Sequence, residues 1–194
     1  MIEKTNPVSL EALRSGDRDA FARLIEETSS QVYHIALRIL GNTQDAEDAL
    51  QETYIKAFRS LLEFEGRSSL NTWLYRIVVN EALMIIRRQK KVPITMEESE
   101  QEEELAEVPL KIVDWQNLPE GELLSNEARH FLDQAVLKLS PGLRVVFVMR
   151  DLNHLSIQET AEALGITESS VKTRLSRARL ALREELSQYY AERL

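Results

Sequence analysis

The chain has 194 residues, 43% hydrophobic and 29% charged, which is enough apolar sequence for one large domain or two small ones, each able to bury a core. It has no cysteine and three widely separated histidines, which excludes disulfides and thiolate metal sites, so we expect no metal and no cofactor. The region after Met1 lacks a hydrophobic signal segment, and no apolar run approaches about 18 residues. We therefore expect a soluble, cytoplasmic protein without stable membrane insertion.

Residues 1–92 predict an N-terminal domain made only of helices. Asp17 is suited to cap a first helix that runs to about Leu40, before Gly41-Asn42 breaks the pattern. Apolar residues recur in it near helical spacing: Phe21, Leu24, Ile25, Val32, Ile35, Ala36 and Ile39.

Thr43 is suited to cap a second helix, from Gln44 to Leu62. Its apolar positions are Ala46, Ala49, Leu50, Thr53, Tyr54, Ala57 and Leu61. Its outer face carries Asp45, Asp48, Gln51 and Glu52.

A polar loop, Phe64 to Ser69, precedes a third long helix that runs from Leu70 to about Lys91 and ends in basic residues. The predicted inward side consists of Trp73, Leu74, Ile77, Val78, Glu81 and Ile85. A second stripe recurs at i, i+4, i+7 and i+11: Arg76, Asn80, Leu83 and Arg87. Such a stripe beside an aromatic residue and a polar loop suits a nucleic acid. The alternative is that Trp73 and Tyr75 are core aromatics and Arg76 is an ordinary surface residue; periodicity leaves both open.

The negative charge of the chain is concentrated in its middle. Residues 93–126 hold one lysine and ten acidic residues, a net charge of −9, whereas residues 1–92 are neutral and residues 127–194 carry +1. This segment also contains three prolines and has poor helical periodicity. It predicts a flexible acidic linker between two small helical domains. The net charge of −8 therefore does not exclude nucleic-acid binding by the flanking domains.

Residues 127–194 predict a C-terminal domain with a helix-turn-helix. A helix from Ser156 to Leu164 is followed by a tight turn at Gly165-Ile166, and Thr167 is suited to cap a second, basic helix. At 100° per residue, one stripe of that helix faces the core: Val171, Leu175, Ala178 and Leu182. The opposite face holds Thr173, Ser176, Arg177 and Leu180, with Lys172 and Arg179 on one flank and Arg174 on the other. A helix-turn-helix sets its second helix in the DNA major groove, so Thr173, Ser176 and Arg177 are candidates for base contacts and the flank cations for phosphates. The alternative is a surface helix with a solvated basic face.

Three segments together resemble a bacterial RNA polymerase sigma factor of the extracytoplasmic-function type, within the sigma-70 family. They are DAEDALQETYIKAF (residues 45–58), FEGRSSLNTWLYRIVVNEALMIIRRQKK (64–91) and the stretch from Leu139 to Leu186, and the likeness covers about residues 15 to 188. The resemblance implies an all-α protein that binds core RNA polymerase and promoter DNA, recognises and melts promoters, carries out no catalysis of its own and is controlled by an anti-sigma factor.

The resemblance also implies a role for each candidate site. The residues expected to face the polymerase clamp helices are Asp45, Asp48, Gln51 and Glu52. Those expected at the minus-ten element are Arg67, Ser68, Asn71, Trp73, Arg76, Asn80 and Arg87. Those expected at the minus-thirty-five element are Ser169, Lys172, Thr173, Arg174, Ser176, Arg177 and Arg179.

Two other interpretations compete with this one. A stand-alone helix-turn-helix regulator would bind operator DNA as a dimer, but it needs neither the acidic face of the second helix nor the loop and stripe between Phe64 and Arg87. A helical enzyme would need a phosphate-binding glycine loop, a metal-ligand cluster or a Ser/His/Asp arrangement, and the sequence contains none of these. We therefore expect a sigma factor rather than an enzyme.

Overall fold

The computed structural model describes residues 10–66, 68–90 and 126–191, and within these ranges every regular element is helical. In chain order the α-helices are α1 (Leu10–Arg14), α2 (Arg18–Leu40), α3 (Thr43–Ser60), α4 (Leu70–Lys90), α5 (Asn126–Lys138), α6 (Pro141–Phe147), α7 (Ile157–Leu164) and α8 (Glu168–Ala191). A 3-10 turn (Leu61–Glu63) follows α3, and a π-helical turn (Val148–Leu152) follows α6. The chain divides into two compact units between Ile85 and Ile86. The predicted two-domain helical fold is confirmed, whereas the predicted acidic linker lies outside the described residues except for Asn126.

Helix α2 begins and ends as its sequence predicts. The Asp17 carboxylate accepts hydrogen bonds from the backbone N–H groups of Asp19 and Ala20, at 2.8 and 3.2 Å, which satisfies two donors that the helix itself leaves unpaired. At the other end Gly41 adopts φ 81°, and its N–H donates to the Leu37 carbonyl at 2.8 Å. The predicted apolar stripe is buried except at Phe21 and Ile25, which are only partly covered.

Helix α3 differs from the prediction at both ends. Its N-cap is Asn42 and not Thr43, because Asn42 has an extended backbone and its side-chain oxygen accepts the Asp45 N–H at 2.8 Å. The regular helix stops at Ser60 and tightens into the 3-10 turn, so it does not run unbroken to Leu62. Between these ends, Ala46, Ala49 and Ala57 are fully buried, and small side chains let α2 and α3 pack side by side.

A pair of buried hydroxyls joins α2 to α3. The Thr28 and Tyr54 side-chain oxygens are 2.6 Å apart, and the Thr28 hydroxyl also donates to the Leu24 carbonyl at 2.6 Å. Threonine has one hydroxyl proton, so the Tyr54 hydroxyl must be the donor in the pair. Burial raises the pKa of the Tyr54 phenol.

Helix α4 buries a wider face than its sequence predicts. Leu74, Val78 and Glu81 lie inside as expected, but Leu83 is also buried, with 4% of its surface exposed. Residues on both sides of the expected inner stripe also pack inward. The predicted outer stripe of Arg76, Asn80, Leu83 and Arg87 is therefore interrupted at Leu83. The buried Glu81 carboxylate binds the Lys56 ammonium group at 2.5 Å, which ties α4 to α3.

In the second unit, α8 packs against α5, α6 and α7. The longest buried run lies where α6 meets the π-helical turn, from Val145 to Met149, and buried residues of α5, α7 and α8 complete the core. Arg144 closes the end of α5 by donating to the carbonyls of Leu137 and Leu139, the second at 2.9 Å. Burial lowers the pKa of this guanidinium. None of the helices in the described ranges has the length and apolar character needed to cross a membrane.

Candidate nucleic-acid interfaces

The turn between α7 and α8 has the conformation that its sequence predicts. Gly165 adopts φ 66°, and no atom lies within 4 Å of where its Cβ would be, so the requirement for glycine here is conformational and not steric. Thr167 caps α8, because its hydroxyl oxygen accepts the Ser170 N–H at 3.2 Å. The following helix therefore begins at a fixed place and angle.

Helix α7 begins with a capping box that the sequence interpretation did not identify. The Ser156 hydroxyl accepts the Glu159 N–H at 3.1 Å, and the Glu159 carboxylate accepts the Ser156 N–H at 2.8 Å. These bonds to Ser156 lower the pKa of Glu159. The pattern S-x-x-E in the sequence is the signal that would have revealed it.

The outer face of α8 is polar and is supported by a buried stripe. Val171, Leu175, Ala178 and Leu182 are all buried, which confirms the predicted inner stripe. On the other side, Ser169 and Thr173 are exposed, and Ser176 and Arg177 are partly exposed. The Thr173 hydroxyl donates to the Ser169 carbonyl at 3.0 Å, so its proton is engaged and its exposed oxygen can act only as an acceptor.

The three flank cations of α8 occupy different environments. Lys172 is exposed, as expected. Arg174 has only 4% of its surface exposed, so its expected surface position is wrong. The Arg179 guanidinium makes two bonds to the Asp151 carboxylate, both at 2.8 Å. Side chains on the flanks of α8 are less exposed than they would be on an isolated helix, because three helices pack against α8.

The loop before α4 is anchored at both ends. At its start, the Phe64 ring is buried and lies 5.0 Å from the Trp73 ring, centroid to centroid, at 42°. At its end, the Ser69 hydroxyl accepts the Thr72 N–H at 3.0 Å and thereby caps α4. Between these points Ser68 is partly exposed, and Arg67 lies outside the described residues.

The polar residues of α4 lie partly on one exposed face. Arg76 and Asn80 are exposed and one turn apart, and Asn71 is exposed at the start of the helix. Trp73 and Arg87 are partly covered. The contact with Phe64 gives Trp73 a packing role. Arg76 lies on the surface, which is compatible both with a nucleic-acid contact and with an ordinary surface residue. Arg76 and Asn80 therefore share one exposed face of α4, whereas Asn71 is exposed at the start of the helix, next to the loop.

The outer face of α3 combines polar and apolar side chains. Asp48, Gln51 and Glu52 are exposed, whereas Asp45 is partly covered and accepts the Asn42 side-chain amide at 2.6 Å. Three exposed apolar residues continue this face toward the end of the helix: Ile55, Phe58 (50% exposed) and Leu62 (73% exposed). The sequence interpretation missed them, although their spacing from Gln51 repeats every three or four residues and is visible in the sequence.

The described part of the chain holds no group of three or more His, Asp or Glu side chains placed to bind a metal ion.

Comparison with known proteins identifies the family of the chain. Residues 24–92 match the family described as Sigma-70 region 2, and residues 132–182 match Sigma-70, region 4. The chain is 34% identical over 177 residues to the ECF RNA polymerase sigma factor SigW of Bacillus subtilis, covering 91% of this chain and 94% of that protein. It is 31% identical to the ECF RNA polymerase sigma-E factor of Haemophilus influenzae, covering 90% and 92%.

The fold is also similar to a solved structure. It resembles the sigma factor RpoE, crystallised with the anti-sigma factor NepR from Bartonella quintana, with a TM-score of 0.61 and 24% identity, covering 86% of this chain and 96% of that one. The two family matches occur in the same order as the two helical units. The chain therefore belongs to the extracytoplasmic-function sigma factors of RNA polymerase, within the sigma-70 family.

Proposed function

We propose that this sigma factor uses three separate surfaces: the outer face of α3 for core RNA polymerase, the loop and exposed face of α4 for the minus-ten element, and the outer face of α8 for the minus-thirty-five element. It acts in the cytoplasm and makes or breaks no covalent bond, because the polymerase carries out the chemistry. The observation that carries the proposal is that α8 presents Thr173, Ser176 and Arg177 outward from a helix-turn-helix whose turn and caps are fully formed.

The proposed polymerase contact consists of a charged half and an apolar half along α3. Exposed Asp48, Gln51 and Glu52 suit a partner that is rich in arginine, since carboxylates form two-point hydrogen bonds with guanidinium groups. Exposed Ile55 and Phe58 would add apolar contact area in the same interface. Asp45 plays a lesser part in this proposal, because it is bonded to the Asn42 cap.

The proposed minus-ten contact acts on an opened strand. Asn71, Arg76 and Asn80 provide hydrogen-bond donors for an unstacked base, and Arg67, Ser68, Trp73 and Arg87 would complete the surface. A protein that binds only the opened strand lowers the free energy of melting by its affinity for that strand.

The proposed minus-thirty-five contact is made in the duplex major groove. Arg177 is suited to guanine, and Thr173 is suited to a base donor such as the amino group of adenine or cytosine, because its hydroxyl proton is already engaged. Lys172 and Ser169, exposed at the first turns of α8, are suited to phosphates. Arg174 and Arg179 would contribute mainly by holding the helix in place.

We also propose that an anti-sigma factor controls this protein. RpoE, whose fold is similar, was crystallised with such a factor. An anti-sigma factor that covers the exposed apolar end of α3 would compete directly with the polymerase. The domain limits 1–92, 93–126 and 127–194 belong to the same proposal, with the acidic middle segment joining the two binding units.

Promoter-selective transcription by purified core polymerase tests the proposal. Adding the wild-type protein should direct initiation to a subset of promoters, and Asp48→Lys with Glu52→Lys should weaken binding to core polymerase while leaving the helical fold intact. Glu26→Lys with Glu27→Lys makes the same charge change on an exposed part of α2 and serves as the control. Wild-type core affinity in the Asp48/Glu52 variant would remove α3 from the proposed interface.

A further inference from the structure

The short helix α1 lies outside the two family-matched regions and has no assigned role, yet it is firmly held. Isolated helices of this length are unstable in water, so α1 exists because of its tertiary contacts. Leu13 is 1% exposed, and α1 packs against α2 and the 3-10 turn. The Asp17 N–H donates to the Ala12 carbonyl at 3.1 Å, so α1 is joined closely to the start of α2.

The exposed end of α1 contacts the loop before α4. The Arg14 guanidinium donates a hydrogen bond to the carbonyl oxygen of Phe64, the residue at which the loop begins. A methyl carbon of Leu10 lies 3.8 Å from where a Cβ of Gly66 would be, so α1 also runs beside the loop backbone. These two contacts come from residues fifty or more positions earlier in the chain.

Several contacts hold the two ends of the loop. The Phe64 carbonyl accepts from Arg14, the Phe64 N–H donates to the Leu61 carbonyl at 3.2 Å, the Phe64 ring packs on Trp73, and Ser69 caps α4. Of these, the Arg14 bond is the one that comes from α1. A loop that is already in its bound conformation loses less conformational entropy when it binds a ligand.

We infer that Arg14 is a positioning residue: through it, α1 holds Phe64, the first residue of the loop before α4, so that the loop is ready to receive the opened promoter strand. The inference rests on the proposed role of the loop at the minus-ten element. Removing the guanidinium frees the start of the loop but leaves α3, α8 and their surfaces unchanged. Arg14→Ala should therefore slow open-complex formation about tenfold, the scale expected for loss of a hydrogen bond from a charged group. It should also relax base preference within the minus-ten element.

The experiment uses the full chain with core polymerase and a promoter selected by the wild-type holoenzyme from a random duplex library. Arg14→Ala is compared with Arg14→Lys, which keeps a charged donor, and with Arg18→Ala, which removes an exposed arginine four residues later, at the start of α2. For each variant, four quantities are measured: the thermal midpoint, the affinity for core polymerase, the permanganate reactivity of minus-ten thymines, and the preference across a panel of minus-ten variants.

The inference is supported if Arg14→Ala opens the promoter slowly with altered minus-ten preference, while its core affinity stays near wild type, its thermal midpoint falls by no more than the few degrees that one lost hydrogen bond explains, and Arg14→Lys recovers part of the rate. It is overturned if Arg14→Ala behaves like wild type or like Arg18→Ala. It is also overturned if the opening defect is accompanied by an equal loss of fold or of core binding. Failure of the wild-type protein to open any promoter would instead count against the proposed function, independently of Arg14.

Discussion

Arg179 and Asp151 form a two-point ion pair that joins α8 to the π-helical turn before the helix-turn-helix. Nε and Nη2 of Arg179 donate to the two carboxylate oxygens of Asp151, each at 2.8 Å, and the Asp151 side chain is only 10% exposed. A planar guanidinium matched to a carboxylate in this way fixes both position and angle. The pair therefore holds α8 against the π-helical turn.

Arg179→Ala should destabilise the protein and leave the electrostatics of DNA binding largely unchanged. The nearly buried Asp151 carboxylate would lose its partner. Breaking a fully buried ion pair typically lowers the free energy of unfolding by about 3–5 kcal/mol. Because Arg179 is partly exposed, we expect a smaller decrease here. Urea denaturation measures the free energy of unfolding. A double-mutant cycle should show that the effects of Arg179→Ala and Asp151→Asn are coupled. Independent, additive effects of the two substitutions would contradict this role.

Lys172→Ala is the matched change at an exposed cation on the same flank of α8. Lys172 is exposed, so its loss should leave the free energy of unfolding nearly unchanged. It should weaken binding to all promoters alike and lower the salt slope of binding by about one unit, as expected for a lost phosphate contact. Titration at several salt concentrations checks this. A base-specific effect of Lys172→Ala would mean that α8 is tilted differently in the groove.

Arg177→Ala should cost about 1–3 kcal/mol at one position of the minus-thirty-five element and relax the preference there. Thr173→Val, which keeps the shape but removes the acceptor oxygen, should relax preference at a different position. Binding to a panel of minus-thirty-five variants separates the two. If both substitutions weakened every variant equally, neither side chain would be a base contact.

Asn80→Ala should impair opening of the promoter more than binding of the closed duplex. Asn80 is exposed in the middle of a helix, where alanine is well tolerated, so the substitution tests the surface without damaging the fold. Trp73→Ala is a poorer test, because it removes the packing partner of Phe64. Permanganate reactivity of minus-ten thymines gives the readout, with Gln31→Ala on α2 as the control. Unchanged reactivity in Asn80→Ala would exclude a role for this amide in opening.

The capping box at α7 predicts a pH dependence. The bonds to Ser156 hold the pKa of Glu159 below its ordinary 4.5, so they stabilise the folded state fully above that value. This contribution is lost as the pH falls through the lowered pKa of the folded state. Glu159→Gln keeps an acceptor oxygen for the Ser156 N–H but does not titrate. The difference in thermal midpoint between the two proteins should therefore change below about pH 4.5; a constant difference would contradict the assignment.

Local sequence patterns predicted the helices, the Asp17 and Thr167 caps, the Gly165 turn and the inner stripe of α8, because each depends on residues within one or two turns. They did not predict the burial of Leu83 and Arg174, since exposure on a helix flank depends on which distant helices pack there. The contacts of Arg179 with Asp151 and of Arg14 with Phe64 join residues 28 and 50 positions apart. Helical periodicity carries no information about such pairs.

The direction of the hydrogen bond between Tyr54 and Thr28 limits the order in which these residues can change during evolution. Tyr54 is the donor, so Tyr54→Phe removes a donor but leaves Thr28 bonded to the Leu24 carbonyl, at a cost of about 0.5–1.5 kcal/mol. Thr28→Val made first would leave the buried Tyr54 hydroxyl without its acceptor, at about 1–3 kcal/mol. Lineages that lose this pair should therefore pass through phenylalanine at position 54 before valine appears at position 28, and the reverse intermediate should be rare.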